Sequence, residues 1–186
     1  MRARIETVKD FISLDEQAEL NNWALLAVQN KWLDTSTAFA SGRLTTRMYG
    51  DRFETPRVAL SILSKVREQL GLKDAPIIDG HGRDGIVVSY TYPGGFVHPH
   101  FDPPTLQGAA LRCNIITQAP DSGGSLFVDG KRVLVAEREL HCYAVSAWEH
   151  WIEEVTGDTP RILWMFGFGV PLDDWENGVI KMDGNI

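Results

Sequence analysis

Cysteine is scarce in this chain, and so are basic charge and long apolar runs. Two cysteines in 186 residues, Cys113 and Cys142, are too few for a disulfide framework and lack Cys-x-x-Cys spacing, so they read as buried reduced thiols. Lys and Arg number 18 against 25 Asp and Glu, giving a net charge of −7. That balance disfavours nucleic acid as a partner, because phosphate backbones are held by clustered cations. No stretch approaches the roughly 20 apolar residues of a membrane span, and MRARIETVKDFIS is interrupted by charge too often for a signal-peptide core. The expectation is a cytoplasmic protein with no membrane contact. The chain is poor in any disorder signature, and a chain this long should bury about 70% of its unfolded surface. It needs no structural metal in order to fold, so any metal site should be functional.

What is present reads as a single domain over 1–186, with a helical part over 1–72 and a β-rich core over about 84–170. Ser13-Leu14-Asp15-Glu16 has the form of a capping box, and Leu20, Trp23, Ala24, Ala27 and Val28 follow a helical stripe, predicting a helix over about 14–29. Thr55-Pro56, the stripe Ala59, Ile62, Leu63, Val66, Leu70 and a closing Gly71 predict a second over about 56–70. Between them, about 33–55 shows no sustained period and reads as a long loop that could hold short extended pieces. Its Arg43, Arg47 and Arg52 could meet an anionic substrate, although a solvated loop is the plainer reading.

From residue 86 the pattern changes to short β-rich runs: Ile86–Tyr92, Phe96–Phe101, Ala109–Thr117, Ser125–Val128, Lys131–Val135, His141–Val145, Trp151–Val155 and Arg161–Val170. Helices followed by about eight strands predict an α+β, mainly β, jelly roll with the helices packed on one sheet. The acidic tail after Pro171 is expected to lie over the surface.

The chain has five histidines: His81, His98, His100, His141 and His150. Residues two apart on a strand share a face, so His100 and Asp102 can present an imidazole and a carboxylate to one point, and His98 has the same parity. With a third ligand from a distant strand this gives a 2-His-1-carboxylate set, which leaves positions open on iron(II). A set of three imidazoles, His98, His100 and His150, is the competing arrangement and would suit a cupin-like metal binder. His81 and His141, with no acid at i+2, read as ordinary residues. Arg112 and Asn114 alternate onto one strand face, and Tyr92 reads as a core or rim aromatic.

The stretch Tyr92 to Arg161 resembles the iron(II)- and 2-oxoglutarate-dependent oxygenases, in their prolyl-4-hydroxylase-like branch. Gly94, Pro99, His100 and Asp102 match the Tyr-x-x-Gly-x-Φ-x-x-Pro-His-x-Asp pattern, with the tyrosine displaced to Tyr92 or Tyr90. Gly123-Gly124-Ser125-Leu126 is similar to the family's Gly-Gly-(Glu/Ser)-Leu segment. His150, Val155 and Gly157 resemble its distal His…Val…Gly run, and Arg161 stands near the family's co-substrate cation. Val8–Glu16 is similar to the usual lead-in to the first helix. The resemblance implies a double-stranded β-helix binding Fe(II) through His100, Asp102 and His150. It implies 2-oxoglutarate held by Arg161, with Asn114, Arg112 and Tyr92 as lesser candidates and His98 as a substrate contact. It further implies O2 as oxidant, ascorbate as activator, succinate and CO2 as products, and hydroxylation of a C–H bond in a small molecule or peptide. Oxidative demethylation of nucleic acid is a related alternative that the acidic balance disfavours.

Overall fold

The computed structural model describes residues 3–36, 39–47, 53–72, 85–106 and 108–180, with the side chains of Thr46 and Arg47 excepted. His81 and Arg52 lie outside the described residues.

Strand β1 (Glu6–Val8) leads into helix α1 (Leu14–Gln29), whose start carries the complete capping box: Ser13 Oγ accepts from Glu16 N–H, and Glu16 accepts from Ser13 N–H. After β2 (Asp34–Thr35) and β3 (Ala40–Arg47) comes α2 (Arg57–Gln69). Pro56 is the N-cap of α2, one residue later than Thr55-Pro56 suggested. Leu72 N–H bonds the Arg67 carbonyl while Gly71 sits at φ +64°, so the helix closes on its glycine as expected. The core strands follow: β4 (Ile86–His100), β5 (Ala109–Gln118), β6 (Ser122–Gly123), β7 (Leu126–Val128), β8 (Lys131–Val133), β9 (Leu140–Ala144), β10 (His150–Ile152), β11 (Val155–Thr156) and β12 (Arg161–Val170), ending in helix α3 (Leu172–Glu176).

The strands run in the order β1-β9-β5-β12-β4-β10-β7-β8, every pair antiparallel, with β3 on β4 and β2 on β3. The first half of β4 belongs to the large sheet, pairing with β12; its second half pairs with β10 and starts the small one. The path curls into two layers, and the chain is a mainly β jelly roll with helices on one sheet. Alternation sorts the large sheet's side chains. Ile86, Val88, Tyr90, Leu111, Cys113, Ile115, Trp164, Phe166 and Phe168 join a core with Leu20, Ala24 and Ala27 of α1 and Ile62 and Val66 of α2. A smaller cluster, including Val97, Leu126, Val128, Tyr143 and Ile152, lies between the layers.

Four expectations change. The two runs read as Ile86–Tyr92 and Phe96–Phe101 form one strand, β4, which ends at His100. The segment around 33–55 contains a strand, β3, formed through its pairing with β4. There Gly42 and Gly95 allow the two backbones to meet: a Cβ on Gly95 would stand 2.7 Å from the Gly42 carbonyl. The run Trp151–Val155 splits into β10 and β11. The tail after Pro171 forms α3, whose Trp175 is fully buried and covered by the guanidinium of Arg4, 4.7 Å from its ring.

Candidate metal centre and co-substrate pocket

The second face of the large sheet and the inner face of the small sheet enclose a cavity of about 460 Å³. At one side stand His100 at the end of β4, Asp102 just beyond it and His150 at the start of β10. Their ligand atoms all lie within 4.8 Å of one another. Strand pairing brings the two histidines together, since His150 is the register partner of His100. Their rings are 4.3 Å apart, and His100 Nε2 is 3.5 Å from Asp102 Oδ1. Each imidazole has Nδ1 against a carbonyl, His100 on His98 O at 2.8 Å and His150 on Trp148 O at 3.2 Å. Nδ1 therefore carries the proton, leaving both Nε2 lone pairs as ligands. Phe39 stacks on His100 at 5.0 Å, and Asp102 N–H bonds the Val145 carbonyl at 3.1 Å.

Burial would raise the Asp102 carboxyl. The adjacent His100 and Arg112, with His150 behind them, outweigh it and hold the group well below the usual carboxylate range. Arg112 Nη2 reaches Asp102 Oδ2 at 3.3 Å. Burial, together with His100, lowers His150 to about 4 against the pull of Asp102, so its imidazole is neutral and able to ligate at neutral pH. Two neutral imidazoles and one carboxylate on one side of an open cavity suit a ferrous ion with exchangeable positions left over.

Across the cavity Arg161 begins β12 and is 1% exposed. Its Nε and Nη1 have no hydrogen-bond partner among the described residues, nor does Asn114 Oδ1, which faces the same space. Burial, then the proximity of Arg43, lowers Arg161 to about 10, so it remains charged. A buried, charged guanidinium without a carboxylate is a costly arrangement that an anionic ligand relieves. The donor set fits a dicarboxylate such as 2-oxoglutarate, bound through the planar fork of Arg161. Asp121 supports this end: it accepts from Asp158 N–H, Thr159 N–H and the Thr159 hydroxyl, closing the turn that starts β12. Gly124, at φ +63°, leaves room for the arginine stem, because a Cβ there would lie 3.2 Å from Arg161 Cδ.

No family model matches the sequence, and no curated protein sequence matches it. Among solved structures, a Pseudomonas putida prolyl-4-hydroxylase superposes with a TM-score of 0.67 at 13% identity, covering 89% of this chain and 92% of that one. The viral collagen prolyl hydroxylase of Paramecium Bursaria Chlorella virus-1, solved as its 2-oxoglutarate complex, gives 0.61 at 16%, covering 89% and 96%. A Trichoplax adhaerens prolyl hydroxylase, in complex with a hypoxia inducible factor peptide fragment, gives 0.63 at 16%, covering 96% and 87%. The chain shares the jelly-roll fold of these structures.

Within that fold the sequence-predicted residues separate. His100, Asp102, His150, Arg161, Arg112 and Asn114 all line the one cavity. His98 does not. Two residues of β10 span three of β4 between the His150–His100 and Ile152–Val97 pairs, so β4 carries an extra residue there. The bulge reverses the parity: Val97 is buried and lines the cavity, whereas His98 is exposed beside Phe96. Tyr92 also lies outside the wall, 39% exposed and edge-on to Tyr90. Two polar lining residues escaped sequence reasoning. His141 and Tyr143, on β9, are assigned inward by the alternation His141, Tyr143, Val145, which was the available signal. Arg43 reads from the sequence as a loop residue that could meet an anionic substrate, with a solvated loop the plainer reading; its place in the wall depends on β3 pairing with β4.

Proposed function

We propose that the chain is a single Fe(II)- and 2-oxoglutarate-dependent oxygenase domain that hydroxylates a C–H bond of a small molecule or peptidyl residue, releasing succinate and CO2. The observation that supports this reading most is the unpartnered, buried Arg161 in the same cavity as the His100–Asp102–His150 cluster. Iron and 2-oxoglutarate, when bound, would supply the oxygen activation, with ascorbate keeping the metal reduced. The protein's part is positional. His98 O and Trp148 O fix the tautomers of the two histidines, and Arg112 keeps Asp102 ionised and oriented. Arg161 selects a second carboxylate on the co-substrate over a monocarboxylic 2-oxo acid. Val97, Leu126, Val145, Ile152 and Leu163 line the cavity with apolar groups that limit water around the reacting centre. The free, buried thiols Cys113 and Cys142 support a cytoplasmic setting, and no helix of the described residues is long and apolar enough to cross a membrane.

The three-imidazole alternative loses its support with His98 on the outer face, and the net charge of −7 disfavours the demethylase alternative. Anaerobic Fe(II) with 2-oxoglutarate should give a visible metal-to-ligand charge-transfer band in the wild type and none in His150→Ala. Succinate formed in air should depend on the same residue. A wild type without the band, and with succinate no higher than in His150→Ala, would overturn the proposal.

A further inference from the structure

The cavity holds more positive charge than the co-substrate can neutralise. Its described walls carry three guanidinium groups, Arg43, Arg112 and Arg161, against one carboxylate, Asp102. Arg112 and Asp102 bond each other and cancel. Arg161 is free for the co-substrate. Arg43 remains. Its Nε donates to Ser89 Oγ at 2.7 Å and its Nη2 lies 4.0 Å from Met165 Sδ, both uncharged neighbours. Among the described residues no carboxylate lies within ion-pair distance of it. Burial lowers Arg43 to about 10, which keeps it charged at neutral pH; the nearest acid that favours its charge is Asp102, already engaged by Arg112.

A ferrous ion and the 2-oxoglutarate dianion offset each other in charge. The loaded site therefore still carries two net positive charges from Arg43 and Arg161, inside a chain whose overall charge is −7. Composition does not account for this local excess. Position adds to it. Arg43 and Arg161 are both register partners of Thr91, on opposite sides of β4, so the two cations flank one row of the sheet. Phe39, the residue before β3, stacks on His100, so the segment carrying Arg43 borders the candidate metal centre. Partly desolvated like charges without counter-ions are costly until an anion joins them. A cavity of about 460 Å³ that must also hold the co-substrate leaves space for a small molecule.

We infer that the prime substrate is a small organic anion whose carboxylate or phosphate group is held by Arg43, rather than a neutral prolyl side chain. This rests on the oxygenase reading, from which its test can be separated. The full chain is loaded with Ni(II), which blocks turnover, and saturated with 2-oxoglutarate. Binding of matched probes is then followed by calorimetry and melting temperature: L-glutamate beside L-glutamine, L-lactate beside lactamide, and glycerol 3-phosphate beside glycerol. In at least one pair the anion should bind tenfold or more tightly than its neutral partner, and which pair responds distinguishes carboxylate from phosphate recognition. Arg43→Gln should abolish that preference and Arg43→Lys should restore part of it, with the 2-oxoglutarate half-saturation within twofold of wild type in both. Neutral probes binding as well as anions throughout the panel would overturn the inference. So would an Arg43→Gln that raises the 2-oxoglutarate requirement as Arg161→Gln does, since Arg43 would then belong to the co-substrate. If Ni(II) and 2-oxoglutarate fail to stabilise the wild type at all, the oxygenase reading fails. The anion preference, measured without 2-oxoglutarate, then decides the role of Arg43 by itself.

Discussion

The two faces of the large sheet are built from alternate residues of the same strands and have opposite energetic characters. Toward the helices, β12 presents Ile162, Trp164, Phe166 and Phe168, all fully buried among apolar neighbours. Toward the cavity it presents Arg161, Leu163 and Met165, and β5 and β9 add Arg112, Asn114, His141 and Tyr143. Burial on the first face stabilises the fold by the transfer of apolar surface from water. On the second, His141 and Arg161 are buried with nitrogen atoms that find no partner among the described residues, which costs stability without a ligand. One face holds the sheet, and the other is arranged for ligands.

Substitutions should separate the two faces. The largest effect is expected from His150→Ala, which should reduce succinate formation to background. Metal affinity should fall by more than the roughly 10–100-fold that follows loss of an outer-shell partner, with melting temperature little changed. Iron content and product yield on the same sample check both. Trp164→Ala on the helix face should cost about 3–5 kcal/mol in a urea titration, because its ring is fully buried against Trp23 at 5.4 Å. Arg161→Gln should do the reverse: the 2-oxoglutarate requirement rises about ten- to a hundredfold, the equivalent of about 1.5–3 kcal/mol, while the ligand-free chain is no less stable than wild type.

Part of the pH response of the cavity face follows from His141, which burial and then the neighbouring Arg161 lower to about 3. Its unfolded value is near 6.5, so between those limits the unfolded chain binds a proton that the folded chain refuses. Stability is whole above pH 6.5 and declines as the pH falls below it. At pH 5 this one group should account for about 2 kcal/mol. His141→Asn should flatten that part of the urea-midpoint profile, and an unchanged profile would assign the acid response elsewhere. The smallest effect belongs to the helix side: Ser13→Ala should cost about 1 kcal/mol through the capping box, leaving turnover intact.

Where local chemistry decides structure, the sequence was readable. The Ser13 box and the stripes of α1 and α2 set those helices to within a residue or two, and turn residues separated most core strands. His100, Asp102, His150 and Arg161 could be picked out by spacing and resemblance, and the fold brings them to one cavity. What escaped depends on pairing between distant segments. Ala40–Arg47 is polar and without alternation, and becomes a strand only because β4 offers it an edge. The extra residue at His98 and Pro99 has no signature in composition, yet it decides which imidazole faces inward. Trp175 looked like part of a surface tail because the groove that receives it is made by other elements.

The position of β12 has a consequence for how the chain comes to be folded. It lies between β5 and β4 in the middle of the large sheet, although it comes last in chain order among the described strands. Until residues 161–170 leave the ribosome, β4 and β5 each expose an open edge and an apolar face, and no local contact can replace the missing centre. The sheet cannot close before β12 is available. Until then the nascent chain must be kept from edge-to-edge association, and the arrival of β12 starts a slow, long-range closure. A chain truncated before Arg161 would therefore be an aggregation-prone intermediate rather than a smaller domain.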